Sequence, residues 1–560
     1  MKFFNKILLV ALVFSVASCD MTDLDLQDNP NAVTPDKVSI DDLYVKIQLD
    51  FNDFTEANWF FTAPLARMRN WTGGFTYNDA YPAPNFDFIW GEAYARIFPD
   101  IALLEEQAAA GGFEIHVGSA KIMKAYVMTT LVDIFGDVPY SEIGQGTNVI
   151  APRADDGASI YAAANALLEE AIGLLGAASP VTPANDLFYG GDAASWITLA
   201  KTLQLRNAVT TRLVDGSAAG TVNKVLDEGD FIASAGQDFQ FQYSTERNLP
   251  NSRSFLYNNH YEANDGDYMS TYYMWLQNGE KTDAEGEPFR DPRIRYYFYR
   301  QVSDARTQDV NVYSCFFTDE PGEGNENAPA HYLAVDERMP YCVLDNGYYG
   351  RDHLNGAGIP PDGPIRTVYG LYPGGGKFDD SSYGNVQNGG TDGGLGAGIY
   401  PYMLSSFVHF YRAEAALTMG TGEDAAAQLE AGIRASMAKV SSFESLDAPP
   451  ADLAMTQEDI DGYVTYVLDA FNAANADGQM EIVVKEFNIA AFGNGLEVYN
   501  SYRRTGKPGK TQPTIEPASG SFIRTALYPS VYVDLNSNAT QKANGSIQVF
   551  WDNNPADFVY

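Results

Sequence analysis

"PYMLSSFVHFYRAEAALTMGTGEDAAAQLEAGIRASMAKV" (residues 401–440) contains two consecutive helical patterns. In residues 401–420 and again in residues 423–440, apolar side chains recur every three or four positions, as they do on one face of an α-helix. A Gly-Thr-Gly turn at residues 420–422 separates the two patterns. Small side chains on both segments would let the helices approach closely, and they are Ala413, Ala416, Ala427, Ala431 and Ala435. The stretch therefore predicts a helical hairpin.

Similar helical patterns occur earlier in the chain. In residues 119–140 the apolar spacing ends at Gly136, which predicts a C-terminal cap, and Pro139 then stops the helix. Residues 155–176 carry a second pattern, and a third begins near Asp192, a residue type favoured at the N-cap. These patterns predict several amphipathic helices in addition to the hairpin.

The predicted architecture is mainly α. The hairpin resembles a tetratricopeptide-type helix pair, which buries its apolar face only by stacking on neighbouring pairs. The strand candidates are short, at residues 293–302 and 546–552. We therefore predict tetratricopeptide-like helix pairs in an α–α superhelix, with long ligand-binding loops and minor β structure.

The N-terminus has the layout of a secretory signal. Lys2 and Lys6 form a basic region, residues 7–14 are almost wholly apolar, and small residues follow. The apolar run is too short to span a bilayer, which needs roughly 20 such residues. Residues 1–18 are therefore predicted to be a signal peptide.

Cys19 stands directly after the small residues. Residues 16–19, Val-Ala-Ser-Cys, resemble the lipobox of bacterial lipoproteins, in which the cysteine becomes the first mature residue and carries a diacylglyceryl group. One acyl chain anchors a protein only marginally, so a stable tether needs a multiply acylated cysteine. We predict lipidation of Cys19, a tether over residues 19–40, and a single helical domain over residues 41–560.

The charge balance narrows the range of partners. The chain has 36 basic and 73 acidic residues and a net charge of −37. Because phosphate binding depends on clustered lysine and arginine, nucleic acid is not an expected partner. The acidic residues are dispersed, which is typical of a solvated surface, and we predict no metal site.

The sequence contains no recognisable catalytic motif. Its five histidines are scattered, and it lacks a His-Glu-x-x-His helix, a Gly-x-Ser-x-Gly turn and a cysteine close to a histidine. We predict a binding protein with no catalytic residues and no cofactor. A surface glycan hydrolase is the enzymatic alternative, because two carboxylates suffice for that reaction. A protein-binding scaffold is the third.

Two cysteines remain after Cys19. An exported chain reaches an oxidising compartment, where Cys315 and Cys342 could form a disulfide. Sequence separation does not show whether their Cα atoms approach closely enough, so two buried thiols are the alternative.

Several strings, in order, resemble the SusD/RagB-like nutrient-binding lipoproteins of Gram-negative outer membranes. The most specific are "LVDIFGDVPYSE" (residues 131–142) and the double arginine Arg503-Arg504 within residues 488–508. Further matching strings lie at residues 24–35, 195–213, 410–417 and 429–437. Together these strings sample almost the whole mature chain.

The resemblance implies a function and a location. Proteins of that family sit as a lid on a SusC-like TonB-dependent transporter and capture oligosaccharides, or in some members peptides, for import. The acidic stretch at residues 20–25 is similar to the surface-export signals of such lipoproteins. The resemblance therefore implies a lipid-anchored protein of the outer membrane that faces the extracellular side.

Two aromatic stretches are the candidate ligand loops, at about residues 55–95 and within about residues 245–400. Sugars offer apolar faces edged by hydroxyls, so a sugar site needs exposed rings beside amides or charged groups. Rings and polar side chains of this kind stand close together in both stretches. We predict ligand contacts from Asn70, Trp71, Tyr77, Asn78, Tyr272 and Trp275.

Overall fold

The computed structural model describes residues 38–70, 73–262, 268–304, 328–356, 366–386 and 389–555. The predicted signal peptide, Cys19 and nearly all of the predicted tether (residues 19–40) lie outside these ranges. The division into a signal, a tether and one domain therefore stays a prediction.

Helices of eight or more residues form the scaffold within the described part of the chain. They are α1 (Ile40–Leu65), α2 (Phe98–Gln107), α3 (Glu114–Phe135), α4 (Gly157–Leu175), α5 (Ala193–Thr211), α6 (Ala218–Glu228), α7 (Thr271–Asn278), α8 (Ser405–Thr418), α9 (Ala425–Ser441), α10 (Gln457–Ala473), α11 (Ala476–Ala490) and α12 (Gly495–Thr505). Two predicted helix ends are confirmed. The Asp192 carboxylate accepts hydrogen bonds from backbone N–H groups in the first turn of α5, and α3 ends at Gly136, whose φ is 74°.

Successive helices pack as pairs. Helix α3 packs on α4, α5 on α6, α8 on α9, and α10 on α11. Contacts of α4 with α5 and of α9 with α10 join neighbouring pairs, and α12 packs along α1. By length and composition α4 could cross a membrane, but its contacts with α3 and α5 place its apolar stripe in the core. The predicted mainly α fold of stacked, tetratricopeptide-like helix pairs is confirmed.

The β structure consists of short antiparallel pairs in the described residues. The strands are β1 (Arg69–Asn70), β2 (Val138–Pro139), β3 (Ala154–Asp155), β4 (Phe239–Gln242), β5 (Tyr268–Met269), β6 (Phe298–Tyr299), β7 (Val368–Tyr369) and β8 (Ile399–Met403). Strand β1 pairs with β5, β2 with β3, β4 with β8, and β6 with β7. These pairs join distant segments of the chain beside the helical scaffold.

The prediction of a helix over residues 401–420 is wrong at its start. Helix α8 begins only at Ser405, because the preceding residues form β8. Within β8, Pro401 lies opposite Gln240 of β4, and its carbonyl accepts a hydrogen bond from Asn494 Nδ2 at 2.9 Å. Pairing with a distant strand therefore replaces the helical start that local spacing indicated.

Two further predictions need correction. Of the strand candidate at residues 293–302, only β6 is a strand, and Ile294–Tyr297 is a single helical turn; residues 546–552 contain no strand. The first candidate ligand loop, predicted at about residues 55–95 and called the early excursion below, begins after Leu65 rather than near residue 55. Helix α1 continues through residues 55–65 and buries Trp59 and Phe61 in the core. The irregular part of this excursion is therefore shorter than predicted.

Helix α12 approaches α1 so closely that only glycine fits at its first residue. A Cβ on Gly495 would lie 2.4 Å from the backbone N and 2.6 Å from the Cα of Ala63. We expect Gly495→Ala to lower the free energy of unfolding by about 1–3 kcal/mol, the usual cost of overpacking. Gly462→Ala in α10 is the matched control: its Cβ would meet no atom within 4 Å, so the better helix propensity of alanine should raise stability by roughly 1 kcal/mol. Urea denaturation measures both, and equal effects would contradict the close approach.

Candidate functional site

The strand pair β1–β5 brings the two predicted ligand stretches together. Arg69 lies opposite Met269, and Asn70 lies opposite Tyr268. The early excursion follows β1, and the second aromatic stretch contains β5, so residues about 200 positions apart in sequence share one small sheet. We call this region the loop junction and define it by β1, β5 and the side chains that contact them.

Two arginines stack on one tyrosine ring in the loop junction. The guanidinium carbons of Arg351 and Arg366 lie 3.9 and 4.7 Å from the centroid of the Tyr268 ring, which is buried. The ring of Tyr349 meets Tyr268 edge-on, with the centroids 6.2 Å apart. Cation–π contacts of this kind fix the planes of the rings and guanidinium groups. The junction therefore has a rigid, positively charged floor.

A third chain segment completes the junction. The Asn70 Nδ2 donates to the backbone carbonyl of Asn355 at 3.1 Å, and the Tyr77 hydroxyl lies 2.9 Å from His353 Nε2. A Cβ on Gly356 would lie 2.4 Å from the carbonyl oxygen of Gly74, so the two backbones are in direct contact. The early excursion is thus held in place by residues 353–356.

The titratable groups beneath the junction are buried. Burial raises the pKa of the Asp352 carboxyl to about 6, although hydrogen bonds from the Cys342 N–H (3.0 Å) and the Gln512 amide (2.8 Å) act to lower it. Burial lowers the pKa of His353 well below its ordinary value, and Arg67 lowers it further. His353 is therefore neutral at physiological pH and serves as a hydrogen-bond partner for Tyr77.

Three of the predicted ligand residues are buried aromatic side chains. The rings of Tyr77 and Tyr272 are 3% and 1% exposed, and the Tyr272 hydroxyl donates to the Lys510 carbonyl at 3.0 Å. Trp275 is also buried, with the Arg338 guanidinium carbon 5.8 Å from its ring centroid.

Asn70 is buried as well, so Asn78 is the one exposed residue among the described candidates. Trp71 lies outside the described residues. The structure thus gives Asn70, Tyr77, Tyr272 and Trp275 a supporting role in the fold. Direct ligand contact by the six residues stays a prediction.

The sequence reasoning missed Tyr268, Arg351 and Arg366, which form the floor of the junction. It also missed Phe75, a ring of the early excursion that is exposed over 38% of its surface. Tyr268 ends the string "ANDGDY", whose residues predict a turn and give no indication that the ring has a role in the site. The arginines carry no local signal, because only tertiary contacts bring them to the ring.

One group of three acidic residues lies close together in the described part of the chain. Carboxylate oxygens of Asp50, Asp53 and Glu92 fall within 4.8 Å of one another. Lys46 forms an ion pair with Asp50, and Arg96 Nη1 lies 3.3 Å from Glu92 Oε1, so basic residues already compensate much of the charge. The structure therefore gives no reason to assign a metal to this group.

Cys342 is disulfide-bonded. Cys315 lies outside the described residues, so the pairing of these two cysteines stays a prediction.

Stacked helix pairs that carry loop excursions meeting at one junction define a helical-repeat scaffold with a loop-built face. Two family models match the chain, "Starch-binding associating with outer membrane" over residues 39–342 and "Susd and RagB outer membrane lipoprotein" over residues 397–549. The first alone covers more than half of the chain. The protein belongs to the SusD/RagB-like family of outer-membrane lipoproteins.

Solved structures confirm the fold. A chitin-binding SusD homologue from Flavobacterium johnsoniae matches with a TM-score of 0.61 and 19% identity, covering 92% of this chain and 99% of that one. A second structure, described as a chitin-binding protein, gives a TM-score of 0.64 and 20% identity, with 92% and 100% coverage. A SusD homologue from Bacteroides uniformis gives 0.60 and 17%, with 91% and 99% coverage. The search of curated proteins found no match.

Proposed function

We propose that the protein captures glycan at the cell surface and delivers it to a SusC-like TonB-dependent transporter. The observation that carries the proposal is the loop junction, where a rigid cationic and aromatic floor supports the excursion that contains Asn70, Phe75 and Asn78. The starch-binding description of the family and the chitin-binding neighbours support the same ligand class.

The chemistry of the junction suits a sugar. An exposed ring can stack on the apolar face of a pyranose, while an exposed amide such as that of Asn78 can exchange hydrogen bonds with its hydroxyls. Trp71 directly follows Asn70 in the sequence and has an indole ring, whose large face suits stacking on a sugar. We therefore assign the main stacking contact to Trp71 and a secondary contact to Phe75.

Location and anchoring belong to the same proposal. Membership of an outer-membrane lipoprotein family supports lipidation of Cys19 and placement on the extracellular side. Cys19→Ala should release the protein from the membrane fraction. Protein that stayed membrane-bound in this variant would contradict the lipid anchor.

Removal of the proposed stacking ring tests the glycan site. We expect Trp71→Ala to weaken oligosaccharide binding by about tenfold or more, because a central aromatic contact contributes at least ~1.4 kcal/mol. Phe88→Ala is the matched control, since Phe88 is 56% exposed but belongs to the one-turn helix Asp87–Gly91, outside the junction. Calorimetric titration against a panel of neutral and acidic oligosaccharides and of peptides measures the effect.

The same panel separates the alternatives. Appearance of new reducing ends would identify a hydrolase and overturn simple capture. Binding of peptides but of no oligosaccharide would assign the protein to the peptide-binding members of the family. Glycan binding that Trp71→Ala and Phe88→Ala reduce equally would contradict the assignment of the site to the loop junction.

A further inference from the structure

A second cleft opens away from the loop junction. It has a volume of about 460 Å³ and is lined by residues from the second candidate ligand loop, at positions 290–300, 346–348 and 381–383, and by residues 452–459. Its charged lining residues are Arg290, Arg295, Arg300, Asp291, Asp452 and Asp459. None of its lining residues belongs to the loop junction or to the predicted ligand residues.

Two arginines of this cleft contact the same aspartate, Asp379, and the third has no ion pair with a described residue. Arg300 binds the Asp379 carboxylate through Nε at 2.5 Å and Nη2 at 3.2 Å, so that carboxylate is already neutralised. The Arg295 Nη1 donates to the Asp379 backbone carbonyl at 2.8 Å and lies 3.9 Å from the nearest oxygen of that carboxylate. Arg290 forms a hydrogen bond with the Asn278 side chain at 3.1 Å and no ion pair with any described residue. Arg300 and Arg295 thus share the Asp379 carboxylate, and the Arg290 guanidinium has no carboxylate partner among the described residues.

All three arginines line the cleft together with Tyr348. Burial raises the pKa of the Tyr348 hydroxyl and Asp379 raises it further, whereas Arg300, Arg295 and Arg290 act to lower it. The guanidinium carbon of Arg300 lies 4.9 Å from the centroid of the Tyr348 ring. The cleft therefore presents basic and acidic side chains side by side, in a chain whose net charge is −37. Arg290 is the arginine of this lining that forms no ion pair with a described residue, so its charge is available to an anionic group of a ligand.

The backbone of the cleft is strained. Asn346, Ser381 and Tyr383 all line it and all have left-handed φ angles, of 65°, 62° and 54°. This conformation is uncommon for serine and costly for a bulky residue such as tyrosine. Strained positions of this kind persist where the surrounding structure fixes them, and they concentrate at binding sites. Tyr383 is half-buried, so part of its ring is available to a ligand.

We propose that this cleft binds a hexuronic acid unit of a glycan, with its carboxylate on Arg290 and Arg295. The planar guanidinium fork matches a planar carboxylate in a bidentate arrangement. Asp452 can accept hydrogen bonds from sugar hydroxyls, and Tyr383 offers a ring face. The same aspartate, together with Asp459, repels ligands of high negative charge, which disfavours multiply sulfated or phosphorylated chains. The inference rests on the proposed glycan function and assigns a ligand class to a separate site.

Two hexasaccharides test the proposal. One alternates glucuronic acid with N-acetylglucosamine, and the other, chitohexaose, contains N-acetylglucosamine alone, so only the first carries carboxylates. With the mature protein purified in detergent, we expect Arg290→Gln to weaken binding of the uronate hexasaccharide by about tenfold and to leave chitohexaose binding unchanged. Arg290 is exposed, so its replacement should not affect folding. Arg153→Gln removes the same charge from an exposed arginine outside the cleft and should change neither affinity.

Salt and site variants give independent readouts. Raising the salt from about 0.1 M to about 1 M shortens the screening length from about 10 Å to about 3 Å, so it should weaken uronate binding more than chitohexaose binding. Uronate binding that depends on Trp71 but not on Arg290 would place the ligand in the loop junction and overturn the proposal. Tighter binding of a sulfated hexasaccharide would overturn the assignment of a carboxylate. If chitohexaose binds and the uronate hexasaccharide does not, the cleft proposal fails while glycan capture stands. If no glycan of the panel binds, the proposed function itself fails.

Discussion

Glu414→Gln is expected to lower the free energy of unfolding by about 3–5 kcal/mol, because it leaves two buried cations without their shared anion. The Glu414 carboxylate on α8 accepts hydrogen bonds from Arg504 Nε at 2.7 Å and Nη2 at 2.9 Å. Arg212 Nη1 lies 2.8 Å from the same carboxylate. The three side chains are at most 7% exposed, so water cannot replace the lost ion pairs. Urea denaturation of the mature protein measures the loss.

The electrostatics of Glu414 agree with this expectation. Burial alone would raise the pKa of its carboxyl, but Arg504 and Arg212 lower it more, so the net shift is downward. A carboxyl with a lowered pKa stabilises the fold at neutral pH, and that contribution is lost as the pH falls through its folded pKa. Acid should therefore destabilise the wild-type protein more than Glu414→Gln.

A neighbouring ion pair provides the control for this prediction. Glu430 of α9 pairs with Arg434 at 2.8 Å, but both side chains are more than a third exposed. Glu430→Gln removes the same charge and should cost less than about 1 kcal/mol. Similar losses in Glu414→Gln and Glu430→Gln would show that the buried network does not join α8 to α12.

Lys542→Met is expected to remove a rise in stability with pH between about 7 and about 10. Burial lowers the pKa of the Lys542 amine from its ordinary value of 10.5 to about 7. Its Nζ donates to the carbonyls of Phe135 (2.5 Å) and Ala526 (2.8 Å), which hold it at the end of α3. Between the two pKa values the unfolded chain binds the proton and the folded chain does not, so the free energy of unfolding increases with pH. The limiting slope is about 1.4 kcal/mol per pH unit.

The difference between wild type and variant isolates this contribution. Urea denaturation at several pH values from 7.5 to about 9.5 gives the slope for each protein, and effects of the other titrating groups cancel in the comparison. Lys224→Met is the control, because the Lys224 side chain is 60% exposed and its amine is hydrated in both states. A wild-type slope equal to that of Lys542→Met would mean that the Lys542 amine stays charged in the fold.

The strings that carried the family resemblance have mainly structural roles. Arg503 donates to the carbonyls of Asp133 and Arg524, and Arg504 binds Glu414, so the double arginine fastens α12 to the scaffold. Gly136 ends α3 within the string at residues 131–142. These residues identified the family because they maintain its fold, and for the same reason they gave no information on the ligand.

The site was less accessible to sequence reasoning than the scaffold. Both aromatic stretches were recognised, and β1–β5 joins them. Sequence could not separate rings that face solvent from rings that support the loop, however. Tyr272 and Phe75 both follow polar or flexible segments, yet the first is 1% and the second 38% exposed. The burial of a side chain depends on which distant segments pack against it, and the residues next to it in sequence do not indicate those segments.

The sequence by itself determined the helix pairs, their caps at Asp192 and Gly136, and the family, because helical periodicity and capping depend on residues a few positions apart. Only the tertiary structure decided that residues 399–403 form a strand, that two arginines stack on Tyr268, and that three more line one cleft with Tyr348. Each of these features requires contact between segments far apart in the chain. Such contacts are selected by the packing of the whole fold, so no local pattern could specify them.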